Sequence, residues 1–294
     1  MSLVQPPSAL AHHLGAHSSS YRDPLQVLDW GALSTQDFWL PPEMLSLHGV
    51  AEFEDVPEST KRRLSQYEFL NFIYAGLWLE GIFIERLGGM LKRTRDVSEY
   101  VYYLHEIREE AGHSLMFLRL MEESGLRLPR PWRTASLADV LGRHAPARSA
   151  LFWLAVTVGE EIPDKFNRTL CRQDGINPLI GQMASLHRMD EARHIAYARG
   201  VLRHKLDGMG RWRKSGLGAV AGVLIRQLAR ICYLPSSQVY ELSGLSPGKL
   251  WRERAQNNPA RRHFVARCVA PTVNLLRQHG VVVKGFNDAI GTQD

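Results

Sequence analysis

Cysteine is scarce in this chain: Cys171, Cys232 and Cys268 are the only three among 294 residues. They are far apart, odd in number and in no Cys-x-x-Cys arrangement. That excludes a disulfide framework and a thiolate zinc site, and fits reduced thiols in a cytoplasm. Long apolar runs are lacking too. The longest, near Leu151 to Gly159 and Gly216 to Ile225, fall short of the roughly 20 residues of a membrane span, so a soluble protein without a membrane partner is expected. Residues 1–20 contain no early Lys or Arg and no sustained apolar stretch, hence none of the parts of a signal peptide; they read as a flexible N-terminal arm. Repeats of solenoid period and β-hairpin signals are absent as well, which leaves an all-α chain.

The net charge of +6 is unevenly spread. From residue 201 onward there are 15 Lys plus Arg against 5 Asp plus Glu, whereas residues 1–200 carry 21 against 25. Such a basic C-terminal third could meet an acidic redox partner, an anionic substrate or nucleic acid, or be only a solvated face. No stacking aromatics interleave with its basic residues, so nucleic acid is not expected as a partner.

Helical periodicity begins near Pro57, with Ser59 available as N-cap, and runs through Leu70, Ile73, Leu77 and Ile84 to the Gly88-Gly89 pair. Glu80 lies on its apolar stripe. A second helix opens at Asp96 and Glu99 in capping-box spacing and ends at Gly125, with Glu110 and His113 on its inner face. Residues 127–146 hold three prolines and suit a long crossing connection. A third helix, roughly Ala147 to Cys171, meets Glu160, Glu161 and a kinking Pro163. The fourth runs from Pro178 toward Leu206, and further helices are expected over Lys214 to Tyr233 and Ala260 to Gln278.

The fourth helix carries His187, Glu191 and His194 at i, i+4 and i+7, so three metal-ligand side chains project from one face. A buried stripe of this kind is costly unless something compensates its desolvation, and a metal does so. Two Glu-x-x-His pairs, Glu110 with His113 and Glu191 with His194, are each preceded by one glutamate on an apolar helix, Glu80 and Glu160. That order is the arrangement of ferritin-like dimetal carboxylate bundles. Carboxylates can bridge two divalent cations, and imidazole completes a ligand set suited to iron. Glu85 rivals Glu80. The latter is preferred because it lies about as far before the interhelical turn as Glu110 lies after it; a structural salt bridge from Glu80 to Arg86 is the competing reading. Glu109 and Asp190, each preceding a ligand glutamate, are read as outer or surface groups, Asp190 being able to accept from a ligating histidine. Glu161 points about 100° away from Glu160. His187 adds a third imidazole and a seventh ligand, making the two metal positions unequal.

With those residues assembled, the chain resembles the p-aminobenzoate N-oxygenase (AurF-like) family of diiron oxygenases, which shows the additional histidine as His-x3-Glu-x2-His. The matching residues are Glu80, Glu110, His113, Glu160, His187, Glu191 and His194, and the alignment selects Glu160 over Glu161. The likeness is best from Trp153 to Ala198, moderate from Tyr67 to Leu120 and weak elsewhere; the N-terminal arm and the basic C-terminal third are not covered, and the loop between Glu80 and Glu110 is shorter than the family leads one to expect. The motif order and the resemblance imply a ferritin-like four-helix bundle over about residues 57–206, and the helical pattern adds basic helices over 207–294. The resemblance also implies two Fe ions, O2 as co-substrate, and oxidation of the nitrogen of a small biosynthetic amine.

No flavin or nicotinamide fingerprint is present, so electrons must come from an external reductase, ferredoxin or chemical reductant, with the basic C-terminal region as a candidate docking surface. A homodimer is expected. Trp78, Phe83, Trp153 and Phe117 lie within two turns of ligands and either wall a substrate pocket or are ordinary core aromatics. Asp164, one turn after Glu160, is a candidate for orienting substrate or carrying a proton. The rival functions are a C–H hydroxylase or desaturating oxidase on the same site, and iron binding without turnover.

Overall fold

A computed structural model of the chain describes residues 6–16, 21–129 and 136–286. Its elements in chain order are α1 (Pro7–Ala16), α2 (Pro24–Val27), α3 (Ala51–Glu54), α4 (Glu58–Leu91), α5 (Val97–Glu123), α6 (Leu137–His144), α7 (Ala150–Leu170), α8 (Pro178–Asp207), α9 (Arg211–Tyr233), α10 (Ser237–Leu242), α11 (Gly248–Asn257) and α12 (Pro259–Gln278). Among the described residues there is no strand.

Four long helices form the bundle. α4 and α5 pack as one hairpin and α7 and α8 as the other, while contacts of α5 with α8 and of α4 with α7 close the ring. Local chemistry sets the ends. Asp96 caps α5 by accepting from the backbone N–H of Ser98 and Glu99, and Ser149 and Asn177 do the same for α7 and α8. Gly125, at φ +61°, ends the α5 region in the left-handed conformation that glycine adopts without a Cβ clash. Pro57 rather than Ser59 stands at the N-cap of α4, and the helix passes through Gly88 and Gly89 to Leu91. Glu99 turns to Thr94 (Oγ1 to Oε2, 2.8 Å) instead of closing a capping box. Pro163 sits within α7, which continues to Leu170.

One expectation fails at the edge of the bundle, and the long connection is partly helical. Inside the stretch read as a flexible arm, residues 7–16 form α1 against α5 and α8, with Ala11 fully buried and Leu10 set against Gly200; Leu10, Ala11 and Leu14 make an apolar edge that the surrounding His and Pro residues hide in the sequence. Residues 1–5 and 17–20 lie outside the described residues. The proline-rich connection likewise contains α6, which packs on α4, α7 and α9.

The C-terminal helices lie against α7 and α4, one helix from each hairpin: α9 contacts α4, α6, α7 and α12, α10 contacts α4, and α12 contacts α7. The span Arg211–Leu242 is long and apolar enough by composition to cross a membrane, contrary to the reading of its shorter apolar run, and 61% of its most apolar window is buried inside the protein. All three cysteines are free thiols.

Candidate dimetal centre

The seven sequence-selected residues converge inside the bundle, one from α4, two from α5, one from α7 and three from α8, and all are buried. They form two groups whose ligand atoms lie within 4.8 Å of one another: Glu80, His113, His187 and Glu191 in one, Glu110, Glu160, Glu191 and His194 in the other. Glu191 belongs to both.

Its Oε1 stands 3.4 Å from His187 Nε2 and 3.5 Å from His113 Nδ1, and its Oε2 lies 3.5 Å from His194 Nδ1. Glu110 spans the same gap, with Oε2 3.4 Å from His113 Nδ1 and Oε1 3.3 Å from His194 Nδ1. The bundle therefore places two glutamates between the groups and one terminal glutamate, Glu80 or Glu160, in each.

The other ring nitrogens are held from outside. His194 Nε2 meets Glu109 Oε2 at 2.9 Å, and His113 Nε2 meets Asp190 Oδ2 at 3.4 Å. Arg193 ties these two carboxylates together, donating to Glu109 at 2.7 Å and to Asp190 at 3.0 Å. On His187 the Asn167 amide donates to Nδ1 at 2.7 Å; turned over, the same amide would offer its carbonyl oxygen, so it can serve either tautomer. Two imidazoles are thus backed by anions and made more basic, while the third is backed by a neutral group.

Electrostatics shows how far the cluster is from self-sufficient. Burial, with Glu110 or Glu191 as the next cause, pushes Glu80 and Glu160 well above the usual carboxylate range. Burial also opposes ionised Glu191, yet His194 holds it down at about 2; Glu110 is held low by its hydrogen bond with Glu80 and by His194. Burial would lower His113, but Asp190 and Glu110 raise it to about 9, whereas burial and the His113 charge take His187 down to about 4. The site gathers positive charge wherever it can. Moreover, Glu110 Oε2, Glu191 Oε2, His113 Nδ1 and His194 Nδ1 are buried without any hydrogen-bond partner, and they face one another across the space between the groups. Orphaned buried acceptors of this kind cost free energy. Two divalent ions fit the donor set: their four positive charges match four carboxylates, and the imidazoles stay neutral as ligands.

Residues near the site sort themselves clearly. Glu85 is half exposed and pairs with Arg143, so it is no ligand. Arg86 donates to the carbonyls of Arg143 and Ala145, not to Glu80. Glu161 points away as expected, to Arg199 and to Thr272 Oγ1 (2.6 Å). Asp164 is buried beside Arg168 and joins neither group; its Oδ1 has no partner. Phe117 packs on the His187 ring, centroids 5.6 Å apart.

A narrow cleft of about 340 Å³, its mouth included, reaches Glu110, Glu160 and His194 past Phe83, Trp153 and Tyr197. It shares Phe83, Phe152 and Val156 with a wholly apolar neighbouring cavity that Trp78 also lines. Gly159 makes room there, since a Cβ would stand 3.0 Å from the Phe83 ring. Two residues around the centre escaped the sequence reading. Glu106, one turn before Glu110, is hydrogen-bonded by Tyr102 and raised to about 8 by burial. Asn167 lies two turns after Glu160; in both cases the i±4 or i+7 spacing was the available signal.

Comparison with known proteins agrees with this geometry. The family described as P-aminobenzoate N-oxygenase AurF matches residues 8–280, so the likeness extends through α1 and the basic C-terminal helices, well beyond the span visible in the motifs. Uncharacterized proteins of Mycobacterium tuberculosis and Mycobacterium bovis are each 23% identical over 271 residues, covering 88% of this chain and 78% of theirs. Among solved structures, a valine-to-alanine variant of R2-like ligand-binding oxidase with an anaerobically reconstituted Mn/Fe cofactor superposes with a TM-score of 0.56 at 13% identity, covering 94% of this chain and 95% of that one. A valine-to-isoleucine variant with an aerobically reconstituted Mn/Fe cofactor gives 0.53 at 13% identity, covering 95% of each. These structures share the ferritin-like fold.

Proposed function

From the premise that the chain belongs to the AurF family, an oxidase family on a ferritin-like bundle, we propose that it is a cytoplasmic diiron oxygenase. It would use O2 to oxidise the nitrogen of a small amine toward the hydroxylamine, nitroso or nitro level. The observation that supports this most is the pair of four-residue groups joined through Glu191. Bound there, two redox-active ions supply the one-electron steps by which O2 is reduced and a nitrogen centre oxidised.

The chain's own residues do the rest. Glu109 and Asp190 fix the rings of His194 and His113, and Asn167 fixes that of His187. Phe83, Trp153 and Tyr197 keep bulk water from Glu160 and His194, where the substrate nitrogen would be presented. Glu106, hydrogen-bonded by Tyr102, is the carboxylate lining that cleft that belongs to neither ligand group. It can hold an amine or relay a proton from it.

The ligand sets also favour unequal metals: two imidazoles with two carboxylates on one side, one with three on the other. A manganese–iron pair is therefore the second reading of the cofactor. The apolar walls of the adjoining cavity favour C–H oxidation as the second reading of the chemistry. One experiment addresses all of these. The protein is loaded with Fe(II), or with Mn(II) and Fe(II), then given reductant, O2 and a panel of aryl and alkyl amines, with products identified by mass spectrometry. Nitrogen-oxidised product is expected. Oxygen consumption that yields only carbon-oxidised product would replace N-oxygenation by hydroxylation, and no O2 consumption with any metal would refute the oxygenase reading.

A further inference from the structure

A large open groove lies on the far side of α7 from the substrate cleft. It has about 1250 Å³ of space between α7 and α12 and shares no residue with the cleft. Lys165 and Arg168 line it from α7, Arg172 from the turn just after α7 and Arg267 from α12, and no carboxylate lines it. Of these four cations, Arg168 alone forms a salt bridge among the described residues, to the buried Asp164. α12 contains no Asp or Glu at all. The positive face is therefore not confined to the C-terminal third of the sequence, because two of its four cations come from the bundle helix that carries Glu160 and a third from the turn at its end.

That helix also links the groove to the metal site. Glu160, Asp164, Arg168 and Arg172 follow one another at i+4 steps, so Arg168 stands about 12 Å along the axis from Glu160. Between them Asp164 is 5% exposed, with one oxygen held by Arg168 and the other unpartnered. A groove lined by charged and polar side chains and open to solvent differs from the enclosed, mostly apolar site of a small molecule. It also offers no row of aromatic faces on which nucleic-acid bases could stack.

We propose that the α7–α12 groove docks an acidic one-electron carrier protein that reduces the dimetal centre, with Lys165, Arg172 and Arg267 as its electrostatic contacts. This rests on the redox reading of the site given above. Two carrier molecules dock in turn; each loses one electron, and each of the two oxidised metal ions gains one. The carriers' net negative charge meets the unpaired cations, which raises the encounter rate and makes it fall steeply with salt.

The test mixes the oxidised, metal-loaded protein anaerobically with a reduced, acidic plant-type [2Fe–2S] ferredoxin and follows ferredoxin reoxidation; no amine is required. Reduction by dithionite is measured in parallel. The triple variant Lys165→Glu, Arg172→Glu, Arg267→Glu should slow ferredoxin-driven reduction at low salt by at least about tenfold, with the dithionite rate and metal content unchanged. The corresponding triple glutamine variant should lie between, and decides the matter if charge reversal prevents folding. Reversal of Arg211 and Arg213, on the equally basic start of α9, should have little effect. Equal rates for wild type and the groove variants, or equal slowing by the α9 variant, would overturn the proposal. So would inhibition by inorganic phosphate far beyond that of chloride at equal ionic strength, which would mark a small-anion site. A centre reduced by dithionite but not by ferredoxin sinks docking alone, whereas one that neither reduces sinks the redox reading and docking together.

Discussion

His187 of α8 and Glu80 of α4 meet across the bundle, Nε2 to Oε1 at 3.3 Å, and this contact joins the two helix hairpins at one of the two ligand groups. Without His187 that group keeps one imidazole and two carboxylates. His187→Ala should therefore lower the metal content from two ions per chain to about one and abolish O2-dependent turnover, while the circular dichroism spectrum stays helical. Two tightly held ions in the variant would reduce His187 to a core histidine.

Glu191 serves both groups, so its loss should not be confined to one metal. In Glu191→Ala both ions are expected to be lost on dialysis, as read by elemental analysis. The exposed Glu85, paired with Arg143, provides the contrast: Glu85→Ala should leave metal content unchanged and shift stability by no more than about 0.5 kcal/mol. Retention of one ion by the Glu191 variant would argue against a shared ligand.

Glu109 touches no other group of the centre than His194 and acts by holding its ring. Glu109→Gln keeps an acceptor but removes the charge that makes the imidazole basic. Metal affinity should fall roughly 10- to 100-fold with both sites still fillable at high metal. Competition with a chromophoric chelator measures it, and an unchanged affinity would show that the contact is only packing.

Glu106 gives the metal-free protein a pH dependence of definite sign. Burial raises it to about 8 in the folded chain, against about 4.5 when unfolded, so folding takes up a proton between those values. Its contribution to stability is therefore greatest below about pH 4.5 and declines as pH rises toward 8, by at most about 1.4 kcal/mol per pH unit. Compared with Glu106→Gln, the wild type should lose urea resistance across that window and run parallel above it. Parallel curves throughout would mean that Glu106 is not desolvated.

How much of this was readable from residues alone depends on whether the signal was periodic. His187, Glu191 and His194, and the pair Glu110 and His113, stand out because helical spacing alone puts them on one face. Glu80 against Glu85 was separable only by asking which lay level with Glu110. The adjacent carboxylates show the limit. Glu109 and Glu161 each neighbour a ligand, yet Glu109 backs His194, whereas Glu161 ties α7 to Arg199 of α8 and Thr272 of α12. No local pattern encodes which distant partner a side chain will meet. Similarly, α1 and α6 are short, 10 and 8 residues, so each offers only two or three turns of pattern against the prolines and histidines around it.

α6 differs from the bundle helices in how it is attached. None of its residues is buried, yet it closes one side of the apolar cavity with Ala138 and Gly142. Its hold on α4 is polar: Trp78 Nε1 donates to Asp139 at 2.8 Å, Arg143 pairs with Glu85, and Arg86 donates to the carbonyls of Arg143 and Ala145. Ala138 and Leu141 pack on the core, but no residue of α6 is fully buried. Detaching it therefore loses less apolar burial than moving a bundle helix and returns these polar groups to water, which can satisfy them. The door to the chamber and the frame around the metals should then open on different clocks, with α6 amides exchanging hydrogen much faster than those of α4 near Glu80. Equal protection in both helices would mean that the chamber opens only when the whole bundle does.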